Sequence, residues 1–241
     1  MTVKPRPFAV FDLDGTLIRW QLYHALADQL VKQGDLDATQ YQAVRAARMT
    51  WKKRASENSF REYEDALVKL VYATMNDIPV ANFEQAGAAV IAEYRDQVYT
   101  YTRDLIKSLR VQDYLLFAVS ASPESIVAII ADYYSFDGYA GSSYDSQDGH
   151  FTGEMDVVLR TRKPDKIREL MSVHHAVLAN SIAVGDSEGD IPMLEMVEQP
   201  IAFNPTKELF EHARAAGWQI VVERKNVVYE LEPDDGSYLL A

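Results

Sequence analysis

The sequence has no cysteine among its 241 residues. Disulfide scaffolds, thiolate metal sites, thiol redox centres and cysteine nucleophiles are therefore excluded. The fold has to rest on its core, and a chain of this mass hides roughly 70% of the surface its unfolded form exposes, which suffices without staples. Positive charge is also in short supply, with 24 Lys and Arg against 36 Asp and Glu and a formal net charge of −12. Affinity for nucleic acid or anionic lipid comes mainly from Lys and Arg facing phosphate, so neither partner is expected. Long apolar runs are missing too: no window approaches the ~18 residues of a membrane helix. The N-terminal apolar stretch is cut by Asp12 and Asp14 before it could serve as a signal segment, so a cytoplasmic protein is expected.

What is present falls into two textures. Phe8 to Leu13 is a short apolar run that reads as a buried strand. Residues 19–99 then carry apolar side chains at steps of three and four, such as Leu22, Leu26 and Leu30, with breaks at Gly34, Asp35 and Pro79. That is helical spacing, and it predicts a helical insert. From residue 100 onward helices alternate with short strands, with a hairpin around Asp148-Gly149 and a frayed tail after Pro233. The expected fold class is α/β: a doubly wound parallel sheet built from 1–18 and 100–241, carrying an inserted α-helical cap domain at 19–99.

In an open parallel sheet, ligands sit beyond the carboxyl ends of the strands, so the residues just after each predicted strand matter most. Three such loops stand out: Asp12-Leu13-Asp14-Gly15-Thr16, Ser120-Ala121-Ser122, and Gly185-Asp186-Ser187-Glu188-Gly189-Asp190. Lys163 opens a helix between the last two. Asp12 and Asp14 are two apart, which on an extended backbone brings both carboxylates to one side. Anions held so close call for a cation. A hard divalent ion with oxygen ligands, Mg²⁺ by default, answers that need, with Asp186 and Asp190 supplying further oxygens. Ser120, Ala121 and Lys163 are candidates to bind phosphate, and the helix start read as capped by Ser122 would add backbone donors. Asp-Gly is also a common hairpin turn, and each of these segments alone could be structural. An EF-hand loop is excluded, because Gly15 is fourth from Asp12 rather than sixth.

The DxDGT run, a Ser ending an apolar strand, a Lys at a helix start and GDxxxD after another strand occur here in that order. Together they resemble the four motifs of the haloacid dehalogenase superfamily, and the insert after the first motif resembles its C1-type cap, as in the phosphoserine-phosphatase-like branch. The resemblance implies a phosphatase of a small phosphorylated metabolite. Asp12 would be the nucleophile that forms an aspartyl-phosphate, and Asp14 the general acid and base. It further implies Mg²⁺ held by the Asp12 and Asp186 side chains and the Asp14 backbone carbonyl, with Asp190 orienting a bound water or Lys163. A phosphotransferase or phosphomutase of the same fold, or a non-catalytic phosphate-binding protein, are the alternatives. In that branch a Glu nine residues after the nucleophile and a cap Arg grip the substrate. Here Gln21 and Val71 stand at those positions, which argues against phosphoserine.

Within the insert, Arg45, Arg48 and Lys52 fall on one helix face beside Trp51. They form either a solvated basic face or, for Arg45 and Arg48, a contact to an anionic substrate. Nothing in the sequence fixes the number of subunits.

Overall fold

The computed structural model describes residues 5–157, 161–234 and 237–240. Contacts divide the chain into two compact units, one of Met1–Gln21, Glu93–Ser142 and Val157–Ala241, the other of Leu22–Ala92 and Ser143–Asp156.

The first unit is a mixed α/β structure around a mostly parallel sheet. Its strands are β1 (Arg6–Phe11), β2 (Leu115–Pro123), β3 (Gly138–Gln147, of which 138–142 lie in this unit), β5 (Ala176–Gly185), β6 (Gln199–Phe203), β7 (Gln219–Arg224), β8 (Val227–Asp234) and β9 (Ser237–Leu240), with β4 (His150–Asp156) belonging to the other unit. The order is β3-β2-β1-β5-β6-β7-β8-β9, parallel except for β8 and β9. The tail expected to fray after Pro233 instead includes β9, which pairs with β8; positions 235, 236 and 241 lie outside the described residues. Apolar run and burial agree in β1, where Phe8 to Phe11 are fully buried. The core gathers Phe8, Val10, Phe117, Val119, Ala183, Ala202 and Ile220 from five strands. β5 is longer than the Ser181 to Val184 strand expected. Its first half is half-buried to exposed and only its second half buried, so the apolar signal covered half of it.

The helices of this unit are α5 (Thr100–Val111), α6 (Glu124–Tyr133), α7 (Lys163–His174), α8 (Ile191–Leu194) and α9 (Lys207–Ala216). Pro164 lies in the first turn of α7, where a missing N–H costs nothing, and His175 closes that helix at φ +54°. Thr206 caps α9 by accepting the Leu209 N–H at 3.4 Å, and Gly217 ends it at φ +69°. Glu223 on β7, 8% exposed, accepts the Thr100 and Tyr101 N–H groups at 3.1 and 2.8 Å, so a carboxylate from a distant strand closes the start of α5.

The second unit holds α1 (Leu22–Gln33), α2 (Gln42–Lys52), α3 (Ser59–Thr74) and α4, which begins at Val80 and continues to Tyr94. Leu22, Leu26 and Leu30 are buried at the expected spacing, and Gly34 follows α1 at φ +87°. The hairpin turn falls on Asp148 and Gly149, both at positive φ, the geometry a two-residue turn requires. Its placement corrects the expected domain bounds: 143–156 belongs to the helical unit, not to an unbroken 100–241 core. Strand and turn signals fix a hairpin locally but carry nothing about which core its residues join.

Candidate active site

The site is built where β1, β2 and β5 end. β1 lies between β2 and β5, with Phe11 level with Ala118 on one side and Val184 on the other, so the residues after all three strands emerge together. Asp12 continues the β1 pairing by donating its N–H to Val184 O at 3.0 Å. From α7, Lys163 reaches back to this point. Its Nζ lies 2.7 Å from Asp12 Oδ1 and 2.6 Å from Asp190 Oδ1, and all three side chains are buried. Asp190 uses its other oxygen to accept the Asp186 and Ser187 N–H groups, both at 3.1 Å. It is thus a brace between the lysine and its own loop. Gly185 has to be glycine-sized, because a Cβ there would come within 2.5 Å of the Asp190 Cβ.

Asp12, Asp186 and Asp190 each offer an oxygen, and these three atoms lie within 4.8 Å of one another. Gly15, at φ +84°, makes this possible; a side chain there would overlap the Asp186 carboxylate. Burial pushes the Asp12 carboxyl up to about 7; Lys163 opposes that rise, while Asp190 and Asp14 add to it. Asp186 is also held well above the ordinary carboxylate range, by burial first and then by Asp12 and Asp190. Burial works against the charge on Lys163, yet its two carboxylate partners outweigh it and keep the ammonium charged. One lysine does not balance this many carboxylates, and acceptor-only oxygens in such a cluster suit a hard divalent cation. Asp14 is not among the three converging carboxylates.

Asp14 is placed differently. Its Oδ2 accepts hydrogen bonds from Ser120 Oγ at 2.7 Å and Ser122 Oγ at 2.9 Å. The expected helix cap at Ser122 is therefore wrong: β2 runs on through Pro123, α6 starts at Glu124, and the Ser122 hydroxyl turns to Asp14 instead. Ser122 is the functional candidate that the sequence reading missed. Its signal was available, since Ser120 and Ser122 are two apart on a strand, as Asp12 and Asp14 are. Ala121 is exposed, and its carbonyl accepts from Ser142 Oγ at 2.7 Å. Gln21 is half-buried at the end of the first unit's opening segment. Elsewhere in that unit, Tyr99 packs on Phe203 with ring centroids 5.0 Å apart and carries the Arg19 guanidinium 5.4 Å from its own centroid.

Arg45 and Arg48 lie in the second unit and part company there. Arg48 is bound to Asp28 through its two terminal guanidinium nitrogens, at 2.7 and 3.2 Å, and the same carboxylate accepts from Tyr41 at 2.9 Å. Arg45 and Lys52 are exposed, Arg45 sitting 5.7 Å from the Tyr41 ring centroid. The three do not form one uniform solvated face.

A family model for haloacid dehalogenase-like hydrolases matches residues 9–195, which takes in the second half of β1, Asp12, Ser120, Lys163 and the Asp186 loop. The chain belongs to the haloacid dehalogenase-like hydrolase family. Among relatives of this hydrolase, a histidinol-phosphatase of Neisseria meningitidis is 24% identical over 88% of this chain and 97% of that one. A phosphoserine phosphatase, SerB1, of Mycobacterium tuberculosis is 31% identical, but over only 52% of this chain and 41% of its own length. A solved phosphoserine phosphatase, captured as an analogue of its phospho-aspartyl intermediate, shares the fold at a TM-score of 0.62 and 20% identity, covering 92% of this chain and 95% of that one. Membership of this hydrolase family, with phosphatases as relatives, supports phosphomonoesterase chemistry, and the carboxylate cluster fits the family's use of a divalent metal. Among the described residues no helix is long and apolar enough to cross a membrane.

Proposed function

We propose that this hydrolase is a Mg²⁺-dependent phosphatase of a small amino-alcohol phosphate, working through an aspartyl-phosphate on Asp12. The observation that carries the reading is the buried Lys163 ammonium bonded to Asp12 Oδ1 at 2.7 Å, beside Asp186 and Asp190, at the carboxyl end of β1. Lys163 fixes the plane of the Asp12 carboxylate. An Asp12 oxygen attacks phosphorus as the bond to the leaving oxygen breaks, and Asp14 gives that oxygen a proton. Asp14 then takes a proton from the water whose oxygen bonds to phosphorus, and the Asp12–phosphorus bond breaks to release phosphate. Asp12, Asp186 and the Asp14 carbonyl would hold the divalent ion, which when bound offsets the charge of the phosphoryl oxygens. Lys163, the Ser120 hydroxyl and the exposed Ala121 amide serve the same oxygens from the protein side.

Histidinol phosphate and phosphoserine, the substrates in the names of two relatives, are both phosphate monoesters of amino alcohols. The nearly full-length match to the first, and Gln21 in place of the branch's Glu, favour histidinol phosphate over phosphoserine. The test is phosphate release from both compounds and from nitrophenyl phosphate, with Mg²⁺ and in EDTA, for wild type and Asp12→Asn. Turnover that needs Mg²⁺ and vanishes in Asp12→Asn supports the reading. Activity surviving in Asp12→Asn, or transfer to an added alcohol without phosphate release, overturns it.

A further inference from the structure

Asp14 shares one of its oxygens between two hydroxyl donors, and among the described residues only one of these donors has another partner. A serine hydroxyl carries a single proton. Ser120 Oγ accepts the Ser122 N–H at 2.9 Å, which occupies its acceptor side and turns its proton toward Asp14 Oδ2, 2.7 Å away. If the same hydroxyl is to serve a phosphoryl oxygen, as the proposed function requires, its proton leaves Asp14. Ser122 Oγ remains, 2.9 Å from the same oxygen, on a residue only 3% exposed and locked in β2. A hydrogen bond to a carboxyl oxygen in such buried surroundings is directional and costly to lose.

We infer that Ser122 is the positioning residue of the general acid: it holds the Asp14 carboxyl in register with the leaving oxygen while Ser120 turns to the phosphoryl group. This rests on the reading of Asp14 given above. The role concerns orientation, so its loss shows where a proton must reach the departing oxygen and not elsewhere. An alkoxide leaves poorly without that proton, whereas nitrophenolate hardly needs it.

The experiment compares kcat/KM, which reports the phosphorylation step, for an alkyl phosphate and for nitrophenyl phosphate with Mg²⁺. The proteins are wild type, Ser122→Ala, Ser122→Thr and Asp14→Asn, each checked for an unchanged melting temperature. Ser122→Ala should lose roughly 10-fold on the alkyl ester, the low end of what a positioned acid supplies, and under about 2-fold on the nitrophenyl ester. Ser122→Thr keeps the hydroxyl and should recover most of the alkyl activity; if its extra methyl prevents folding, the Ala variant decides alone. Equal losses on both esters would make Ser122 merely structural, and no loss on either would make Ser120 sufficient; each overturns the inference. If Asp14→Asn itself fails to discriminate between the esters, the assignment of Asp14 falls instead, so the two failures are separable.

Discussion

Replacing Lys163 with Met tests the electrostatics of the site without reference to catalysis. The substitution keeps most of the length of the side chain and removes the one cation, among the described residues, that touches both Asp12 and Asp190. Stripping one partner from a buried ion pair costs about 3–5 kcal/mol, because the other charge is left uncompensated. For a chain of this size each kcal/mol moves the melting temperature by about 2–4 °C, so a fall of roughly 6–20 °C is expected. The pH dependence gives the sharper signature. Asp12 already titrates at about 7 in the fold against an ordinary 3.8, so ionising it costs stability; that cost is absent below 3.8, grows between the two values and is complete above about 7. Lys163 is the main influence lowering that pKa, so in Lys163→Met the cost is larger, and its excess over wild type appears as the pH rises past about 7. The deficit relative to wild type should therefore be greatest near pH 9 and shrink toward about pH 5, where the fold holds Asp12 protonated. Thermal unfolding in chelator-treated buffer measures it. Adding millimolar Mg²⁺ should return part of the loss by mass action. A melting temperature within about 2 °C of wild type near pH 9, or a deficit that does not change with pH, refutes the argument.

Gly15→Ala should cut phosphate release by well over 10-fold and also lower the stability, since the new methyl collides with Asp186 at φ +84°; near-normal kinetics at saturating Mg²⁺ would contradict that geometry. Buried His24 has its pKa lowered to about 4, by burial first and then by Arg48, against an ordinary 6.5. Its contribution is complete above pH 6.5 and is lost as pH falls toward 4, about 3 kcal/mol in all, so His24→Gln should flatten unfolding curves over that interval; parallel curves would reject this. Arg48→Gln should cost about 1–3 kcal/mol by leaving Asp28 without its two charge-assisted bonds, and Arg45→Gln less than about 0.5; equal effects in denaturant unfolding would mean that the helix face is uniform after all.

The parts of the site that the sequence revealed are those where chemistry and local structure coincide. Asp12, Asp186 and Lys163 each stand at a strand end or helix start, and an apolar run followed by acid and glycine marks such a point without any tertiary knowledge. Ser122 was lost because Ser-Pro-Glu is also a good helix opening, and local preference could not weigh that against two more residues of β2. The fate of Arg48 was not local either, since its carboxylate partner is twenty residues away on another helix. The same holds for the hairpin, whose turn was plain in Asp148-Gly149 and whose allegiance to the helical unit was not.

The order of the strands also governs how this chain comes off the ribosome. β1 is central in the sheet, but its partner β5 follows some 170 residues later, Ala9 standing level with Ile182. At about 5–20 residues per second the first strand waits roughly 10–35 s for that neighbour. The helical unit can close sooner, but it too waits on a distant segment, because it needs 143–156 as well as 22–92. The core cannot finish before the helical unit has been made, and the helical unit cannot finish before 93–142 of the core has been made. Phe8, Val10 and Phe11 are thus exposed for much of synthesis, and a nascent chain stalled before residue 176 should be a good client for a holdase and a poor substrate for refolding.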